Sequence, residues 1–483
     1  MSKLRKNLIY NILYQILVLV LPLVTVPYVS RVLGANGVGI YSYTYSIVYY
    51  FMLIALLGIN NYGNRAIAQS RDNKNDLSKK FISIYVIQLI MSFVMIILYL
   101  AYIFLFCQEY KIIALIQTIY LVSSMLDINW FFFGLEEFKI TVTRSTLLKI
   151  VSLIFIFLFV KTPNQVWIYT LILATSTLLS QLLLWSFLFN RINFVKVGLK
   201  DIVVHIKPCL ILFIPVIAIS LYRVMDKIML GIMGAVIEVG YYEQAEKIIS
   251  IPTGIITAIG TVMMPRISNL VVKGQDEEAK KYISKSVKLM MFMAFPICFG
   301  IISIASDFIP IFLGDNFRKS IVLIYYLSIT ILFLSFANVI RTQYLIPKEK
   351  DNIYIGSVLL GALVNLIANF LLIPKLHSIG AAIGTVLAEF FVMLYQTMAV
   401  RKDLPILEYF KCILEFFIKS IIMFIIILLI KRLELSVIIK IIIQIFVGCI
   451  TYFVLNIKYI NSIISIKDFL KKVKGRKLQE KGN

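Results

Sequence analysis

The sequence predicts an all-α integral membrane protein that crosses the bilayer many times. Of its 483 residues, 60% are hydrophobic and 15% are charged, and the mean hydropathy is +0.91. Apolar runs of about 20 residues, the length that a helix needs to cross roughly 30 Å of hydrocarbon, recur along the whole chain. This composition excludes an ordinary soluble domain.

Breaking the apolar runs at charges, prolines and glycines gives about fourteen predicted transmembrane helices. The first run follows MSKLRKN as the core of a signal peptide would. It continues past Val26 without a small-residue cleavage site, so we interpret it as an uncleaved span. The predicted spans begin near Leu8, Val38, Phe81, Ile112, Ile140, Val166, Pro208, Tyr241, Ile283, Ile321, Ile353, Ile379, Phe410 and Leu435.

The connections between these spans alternate in charge. Segments such as RAIAQSRDNKNDLSKK, RISNLVVKGQDEEAKK and the C-terminal KDFLKKVKGRKLQEKGN fall on one side, and the loops of that side hold most of the 48 lysines and arginines. The positive-inside rule therefore places both termini in the cytoplasm, as an even number of spans allows. The net charge of +23 is then mainly a topology signal, and no nucleic-acid partner is expected.

Two distant stretches of the chain share one frame, which predicts an internal repeat. LPLVTVPYVSRVLGANGVGIY leads through an apolar run to NRAIA, and IPVIAISLYRVMDKIMLGIMGAVIEVGYY leads through another to PRIS. Gly39 is 26 residues before Arg65, and Gly240 is 26 residues before Arg266. Arg65 and Arg266 mark equivalent inner ends. Because each half has an even number of spans, the two halves should run in the same direction through the membrane.

Parallel repeats of this kind are a transporter architecture with the substrate site at the repeat interface. We therefore predict two pseudo-symmetric six-helix lobes. The N-lobe covers residues 1–197 and the C-lobe residues 198–404. Residues 405–483 form two extra helices and a basic cytoplasmic tail that could also lie on anionic lipid.

Several motifs carry a resemblance to a known family. SRVLGANGVGIYSY, YRVMDKIMLG, GYYEQAEKI with PRIS, FIPIFLGDNFRKS and IGAAIGTVLAEF occur in order along nearly the whole chain. The chain resembles the polysaccharide-repeat flippases of the multidrug, oligosaccharidyl-lipid and polysaccharide exporter superfamily. The resemblance implies fourteen spans in two lobes around a central cavity, which we expect to form a V. It also implies transfer of an undecaprenyl-diphosphate-linked oligosaccharide to the outer leaflet of a bacterial cytoplasmic membrane, for capsule or surface polysaccharide synthesis. It also implies membrane lipids and polysaccharide polymerase machinery as partners.

A strongly polar stretch, YRVMDK, lies inside the apolar segment PCLILFIPVIAISLYRVMDKIMLGIMG. Its three charges are spaced i, i+3 and i+4, so they share one helix face in the outer half of the predicted seventh span. A charge at the bilayer centre costs about 2.5 to 3.5 kcal/mol on insertion scales, so this face should line a wet cavity or meet partners. With the start of the next span, the predicted cluster comprises Arg223, Asp226, Lys227, Glu243, Glu246 and Lys247.

Two interpretations of this cluster stay open. Folding the two spans back about the loop near Ala235 places Lys227 beside Glu243 and Arg223 beside Glu246. The charges then form either an ion-paired staple that closes the hairpin or a gate whose pairs rearrange as the outer side opens.

Other cations have no acidic residue within a helical turn: Arg31, Arg144, Lys149 and Arg341. Arginine and lysine suit diphosphate oxygens, so we predict that these four and Arg223 bind the anionic head of the substrate. Snorkelling of long side chains toward the interface is the competing explanation. Eight neutral side chains could hydrogen-bond sugars in the cavity, or could instead form polar contacts between packed helices. They are Gln15, Asn60, Asn61, Gln181, Asn338, Gln343, Asn365 and Asn369.

The sequence contains no P-loop, so energy should come from an ion gradient or from removal of the product. Asp226, Glu243 and Glu246 are the candidate proton or sodium sites, and no catalytic site, metal centre or other cofactor is predicted. A cation-coupled multidrug exporter of the same superfamily is the first alternative, although its cavity should be acidic or apolar. An integral-membrane glycosyltransferase or polymerase is the second, but the chain lacks a DxD pair and a large outer loop.

Overall fold

The computed structural model describes residues 3–463, and all the secondary structure in that range is helical. The predicted basic tail beyond residue 463 lies outside the described residues, as does the side chain of Gln15. The helices are α1 (Lys3–Leu56), α2 (Ile59–Ser70), α3 (Lys74–Phe106), α4 (Lys111–Met125), α5 (Asn129–Gly134), α6 (Phe138–Phe159), α7 (Val166–Leu188), α8 (Leu199–Met233), α9 (Val236–Val272), α10 (Asp276–Phe312), α11 (Lys319–Ile340), α12 (Asp351–Leu376), α13 (Ser378–Val400), α14 (Ile406–Lys431), α15 (Val437–Leu455) and α16 (Ile457–Ile463).

The first helix contains two predicted spans. Its 54 residues would reach about 80 Å if straight, more than twice the hydrocarbon thickness. The helix is broken at Gly34, whose φ of 66° and ψ of 179° are not helical. Thirteen helical segments among the described residues are long and apolar enough to cross a membrane, and one of them, Leu21–Ser70, runs through this break. The prediction of an all-α protein with about fourteen spans is confirmed.

On α3, large apolar side chains are exposed while several polar side chains are buried. Phe93 is 59% exposed and Ile90 53%, while Ser83, Gln88 and Ser92 of the same helix are fully buried. An apolar face this open is stable only against hydrocarbon. The chain is a multi-pass membrane protein.

Packing divides the chain into two compact units. The first comprises Met1–Ile251, Ile309–Leu327 and Asp351–Leu394. The second comprises Pro252–Phe308, Ser328–Lys350 and Tyr395–Asn483. The boundaries predicted from the repeat, and the V that the two lobes would form, stay predictions.

Within the first unit, two spans are interrupted. Between α1 and α2, Leu57 and Gly58 have φ values of 42° and 74°. A side chain at Gly58 would place its Cβ only 2.6 Å from the carbonyl oxygen of Cys209 on α8, so glycine is required both by conformation and by contact. Between α4 and α5, the buried Gln88 donates to the carbonyls of Ser124 and Asp127, both at 2.8 Å. Both carbonyls lie where the helix is broken, so the Gln88 side chain helps to fix the interruption.

The two halves of the predicted repeat meet at their equivalent glycines, also within the first unit. A Cβ on Gly39 would lie 2.0 Å from the carbonyl oxygen of Val236, and a Cβ on Gly240 would lie 1.9 Å from that of Ala35. Each glycine thus faces the residue four positions before the other glycine. This reciprocal contact is the pattern of a local two-fold axis, and the second arm of α1 and the start of α9 cross there at backbone distance.

Candidate functional site

The predicted charge cluster forms where α8 and α9 face each other. Lys227 Nζ lies 2.7 Å from Glu243 Oε2 and 2.8 Å from Glu246 Oε2, and Lys247 Nζ lies 3.0 Å from Glu243 Oε1. The side chains of Lys227 and Glu243 are only 15% and 12% exposed. The predicted pairing of Lys227 with Glu243 is confirmed. The structure shows Lys227 as the bridge to Glu246 as well, and pairing of the exposed Arg223 with Glu246 stays a prediction.

Asp226 belongs to a different set of contacts from its neighbour Lys227. Its Oδ2 accepts hydrogen bonds from the hydroxyls of Tyr242 at 2.8 Å and Thr385 at 2.7 Å, and its Oδ1 accepts from Asn369 Nδ2 at 2.6 Å. The residue is 1% exposed. Gly384 leaves room for this arrangement, because a Cβ there would lie 2.3 Å from Asn369 Oδ1. Asp226 is therefore a buried carboxyl group surrounded by neutral donors.

A polar cavity of about 610 Å³ lies in the first unit beside the two interrupted spans. We call it the carboxamide pocket, after five of the residues that line it: Asn60, Asn61, Asn64, Asn129 and Gln181. Asn60, Asn61 and Asn64 are exposed and share one face of α2. Three adjacent carboxamides facing hydrocarbon would be costly, so this cavity must hold water or a polar ligand.

Arg144 of α6 lies in the wall of the carboxamide pocket, 9% exposed. Its guanidinium donates to Asn129 Oδ1 at 2.8 Å, to Gln181 Oε1 at 3.2 Å and to the carbonyl of Ser180. Asn129 Nδ2 in turn donates to Asp127 Oδ1 at 2.6 Å. Asn129 thus connects a cation to a carboxylate, and the network holds the polar wall in one arrangement.

The other predicted cations have different surroundings. Arg31 is exposed and donates to the carbonyl of Ile311, in the last turn of α10. In the second unit, Arg341 opens a π-helical segment, Arg341–Leu345, and donates to Asn338 Oδ1 at 2.8 Å. Lys149 on α6 is half-buried. A role of these cations in binding a diphosphate stays a prediction.

The two predicted inner-end arginines are both exposed. Arg65 lies on α2, one residue after Asn64 of the pocket. Arg266 lies over the ring of Tyr282, 4.3 Å from its centroid, and donates to the tyrosine hydroxyl.

In the second unit, a polar cluster joins two loop residues, Lys350 and Asp403, to Tyr344 of the π-helical segment. Asp403 accepts from the Tyr344 hydroxyl at 2.5 Å and from Lys350 Nζ at 3.0 Å. The hydrogen bond from Tyr344 and the neighbouring ammonium of Lys350 lower the pKa of the Asp403 carboxyl group from its ordinary value. These contacts tie the loop after α13 to the loop before α12.

Sequence reasoning named Asn60, Asn61 and Gln181 but missed other pocket residues: Asn64, Asp127, Asn129 and Ser180. The available signal was the run MLDINW, where an Asp and an Asn interrupt an apolar segment. It was also not foreseen that Tyr242 and Thr385 surround Asp226, because partners 16 and 159 residues away leave no local pattern.

Two solved structures share this fold. A lipid II flippase MurJ in an inward closed conformation superposes with a TM-score of 0.79 at 17% identity, covering 95% of this chain and 99% of that one. An inward-facing multidrug resistance MATE family transporter of the MOP superfamily gives a TM-score of 0.59 at 13% identity, covering 81% and 99%. This likeness defines a fold class: the chain is a multi-pass, all-helical membrane protein with the helix arrangement of these two structures.

The family follows from the sequence comparisons. A family model described as polysaccharide biosynthesis protein matches residues 4–271, more than half of the chain, and the chain belongs to that family. A putative O-antigen transporter of Shigella dysenteriae is 24% identical over 406 residues, 82% of this chain and all of that protein. A putative O-antigen transporter of Escherichia coli is 24% identical over 405 residues, 83% of this chain and 97% of that protein. The resemblance seen in the motifs is confirmed.

Proposed function

We propose that this protein is a flippase that moves an undecaprenyl-diphosphate-linked oligosaccharide repeat unit from the inner to the outer leaflet of a bacterial cytoplasmic membrane. The observation that carries this proposal is the match, over the full length of that protein, to the putative O-antigen transporter of Shigella dysenteriae. Capsule or another surface polysaccharide is the product that the repeat units would build, and a polysaccharide polymerase is the partner that would receive them.

The structure supports a carrier of a polar headgroup. Its outer faces are apolar, while a cavity lined by carboxamides and a buried arginine lies within the first unit. The reciprocal contact of Gly39 and Gly240 is a small backbone contact between repeat halves, of the kind that can part without exposing a large apolar surface. We propose that this crossing opens and closes on the predicted outer side during alternating access, with both termini in the cytoplasm.

The test is a leaflet-specific assay of lipid-linked repeat units. The gene is deleted and restored, and the sugar accessible to a lectin or periodate on intact spheroplasts is compared with the total extracted lipid-linked sugar. We expect the accessible fraction to fall in the deletion strain while the total stays the same or rises. An unchanged accessible fraction would refute the flippase, and a loss of total lipid-linked sugar would point instead to a glycosyltransferase. Selective sensitivity to cationic drugs would favour the multidrug exporter.

Coupling to a proton or sodium ion is a separate proposal, and we infer that Asp226 is its site. Glu243 and Glu246 already lie against lysine ammonium groups, whereas the described partners of Asp226 are neutral hydroxyl and amide groups. A carboxylate buried among neutral donors is stabilised by taking up a proton or a cation. Oxygen atoms are the ligands that a hard cation such as sodium prefers, and the hydroxyl oxygens of Thr385 and Tyr242 lie beside the carboxyl group.

The coupling proposal is tested by measuring delivery of lipid-linked sugar to the outer leaflet after collapsing the proton gradient or removing sodium. In the wild-type protein, one of these treatments should slow delivery. Asp226→Asn should give a slow rate that no longer responds to that treatment. If the wild-type delivery rate is unchanged by both treatments, removal of the product drives transport.

A further inference from the structure

The carboxamide pocket has the features of a carbohydrate site rather than an anion site. Its exposed carboxamides, Asn60, Asn61 and Asn64, have no hydrogen-bonding partner among the described residues. A carboxamide both donates and accepts, which matches a hydroxyl group, and neighbouring hydroxyls of a sugar can use both functions at once. A volume of about 610 Å³ is within the usual range for small-molecule sites.

An aromatic surface completes the pocket. Phe133 and Phe138 both line it, and their rings stack with centroids 5.8 Å apart and an interplanar angle of 27°. Phe133 remains 37% exposed. A ring face beside hydrogen-bonding amides offers an apolar surface for the C–H face of a sugar while the hydroxyl groups meet the carboxamides.

The charges in the wall compensate each other. Arg144 and Asp127 are the two charged residues that line the pocket, and Asn129 bonds to both of them. The guanidinium donates to three neutral oxygens, those of Asn129, Gln181 and Ser180. Arg144 therefore acts as a positioning residue that fixes the carboxamides, and the pocket has little net charge to attract an acid.

We propose that the carboxamide pocket binds one uncharged, hydroxyl-rich sugar of the lipid-linked oligosaccharide. The proposal rests on the flippase function, and it adds a place and a chemical class for part of the substrate. The proposal places the sugar subsite apart from the site that binds the diphosphate. The pocket offers an aromatic ring face and amide groups, and its positive charge is compensated by Asp127.

Protection from a thiol reagent tests the pocket directly. Asn61→Cys is made in full-length protein in which Cys412 and Cys449, the two native cysteines that are not buried, are serine. Labelling by a small maleimide is timed with galactose, N-acetylglucosamine, rhamnose or galacturonate present. At least one neutral sugar should slow labelling severalfold and galacturonate should not. The matched control, Asn352→Cys, replaces an exposed carboxamide outside the pocket and should label at the same rate with every sugar.

Protection by galacturonate as strong as that by the neutral sugars would overturn the proposal, as would protection by none of them. A second measurement does not depend on the cysteine variant. Asn60→Leu with Asn61→Leu should lower outer-leaflet delivery about tenfold at equal protein abundance, since one or two hydrogen bonds to substrate are lost. Asn352→Leu should have no effect on delivery.

The two levels of the proposal fail in different ways. In one outcome, deleting the gene abolishes delivery while the Asn60→Leu, Asn61→Leu protein restores it to the normal rate. That result would refute the sugar subsite but not the flippase function. Sugar protection without any effect of the deletion on delivery would remove the flippase function and leave a sugar-binding pocket.

Discussion

At the scale of single residues, the two halves of the predicted repeat meet through atoms that leave no room for a side chain. Gly39 and Gly240 each oppose a backbone carbonyl, and backbone cannot move aside as the end of a flexible side chain can. The sequence frame identified these glycines as equivalent positions, but only the structure shows that they touch. The same motif that carries the family resemblance, SRVLGANGVGIYSY, thus also encodes a helix crossing.

Gly39→Ala should therefore destabilise the crossing, by about 1 to 3 kcal/mol as in other overpacked contacts. Thermal unfolding of the purified protein in detergent measures the change. Gly300→Ala is the matched control, because no atom lies within 4 Å of a Cβ at that helical position. It should be neutral or stabilising by about 0.5 to 1 kcal/mol. Equal effects of the two substitutions would show that the crossing is looser than the structure indicates.

Arg31 offers a second residue-scale prediction. It is exposed and its contact is a backbone carbonyl, so Arg31→Ala leaves no carboxylate without a partner. If this cation binds the anionic head of the substrate, the substitution should abolish polymer export at nearly normal protein abundance. Arg31→Lys should restore part of the activity, since it keeps the charge and loses the two-pronged hydrogen bonding. A large fall in abundance, measured by immunoblot, would mean that Arg31 is structural.

At the scale of helices, the α8–α9 cluster gives a sharper test than sequence alone allowed. The sequence favoured Lys227→Ala with Glu243→Ala as the compensating pair. The structure shows that this pair would also remove the partner of Lys247 and leave Glu246 without Lys227. Removing Lys227 and Glu246 together keeps the Lys247–Glu243 pair intact.

Lys227→Ala alone should lower abundance, since breaking a buried ion pair costs about 3 to 5 kcal/mol. Adding Glu246→Ala should restore abundance more fully than adding Glu243→Ala. Quantitative immunoblots of the single variant and the two double variants measure which of them is most abundant. If neither double variant recovers, the cluster is not held together by charge compensation. If abundance is normal in all three but export is lost, the gate interpretation is preferred to the staple.

The loop cluster of the second unit predicts a pH effect. The folded-state pKa of Asp403 is lowered, so its contribution to stability is present above the pKa of the unfolded state, about 3.9, and is lost as the pH falls through the folded value. The group is 41% exposed, which limits the contribution to under about 1 kcal/mol. Asp403→Asn should unfold more easily than wild type at pH 7, and the difference should disappear toward pH 3. A constant difference in melting temperature across this range would contradict the assignment.

At the scale of the whole molecule, composition and periodicity were enough to predict an all-helical membrane protein and about fourteen spans. Every helix that contacts lipid needs a run of about 20 apolar residues, so the pattern that predicts a span recurs many times along the chain. Pocket residues such as Asn129 carry no such repetition. Their positions depend on interrupted helices, whose capping by Gln88 and close packing at Gly58 are tertiary contacts between distant parts of the sequence.

Orientation in the membrane is the remaining property of the whole molecule, and α10 offers an internal test. Gln275 and Asn316 are exposed residues in the loops at its two ends, and a helix of 37 residues is long enough to place them on opposite sides of the bilayer. The positive-inside rule puts the basic loop of Gln275 in the cytoplasm. In intact cells, with Cys449 replaced by serine, an impermeant maleimide should label Asn316→Cys, and Gln275→Cys only after permeabilisation. The reverse pattern would invert the topology, and a tag at Lys481, which lies outside the described residues, should then also appear outside. Equal labelling of both positions would mean that α10 does not cross the membrane, and the even span count on which both cytoplasmic termini depend would be lost.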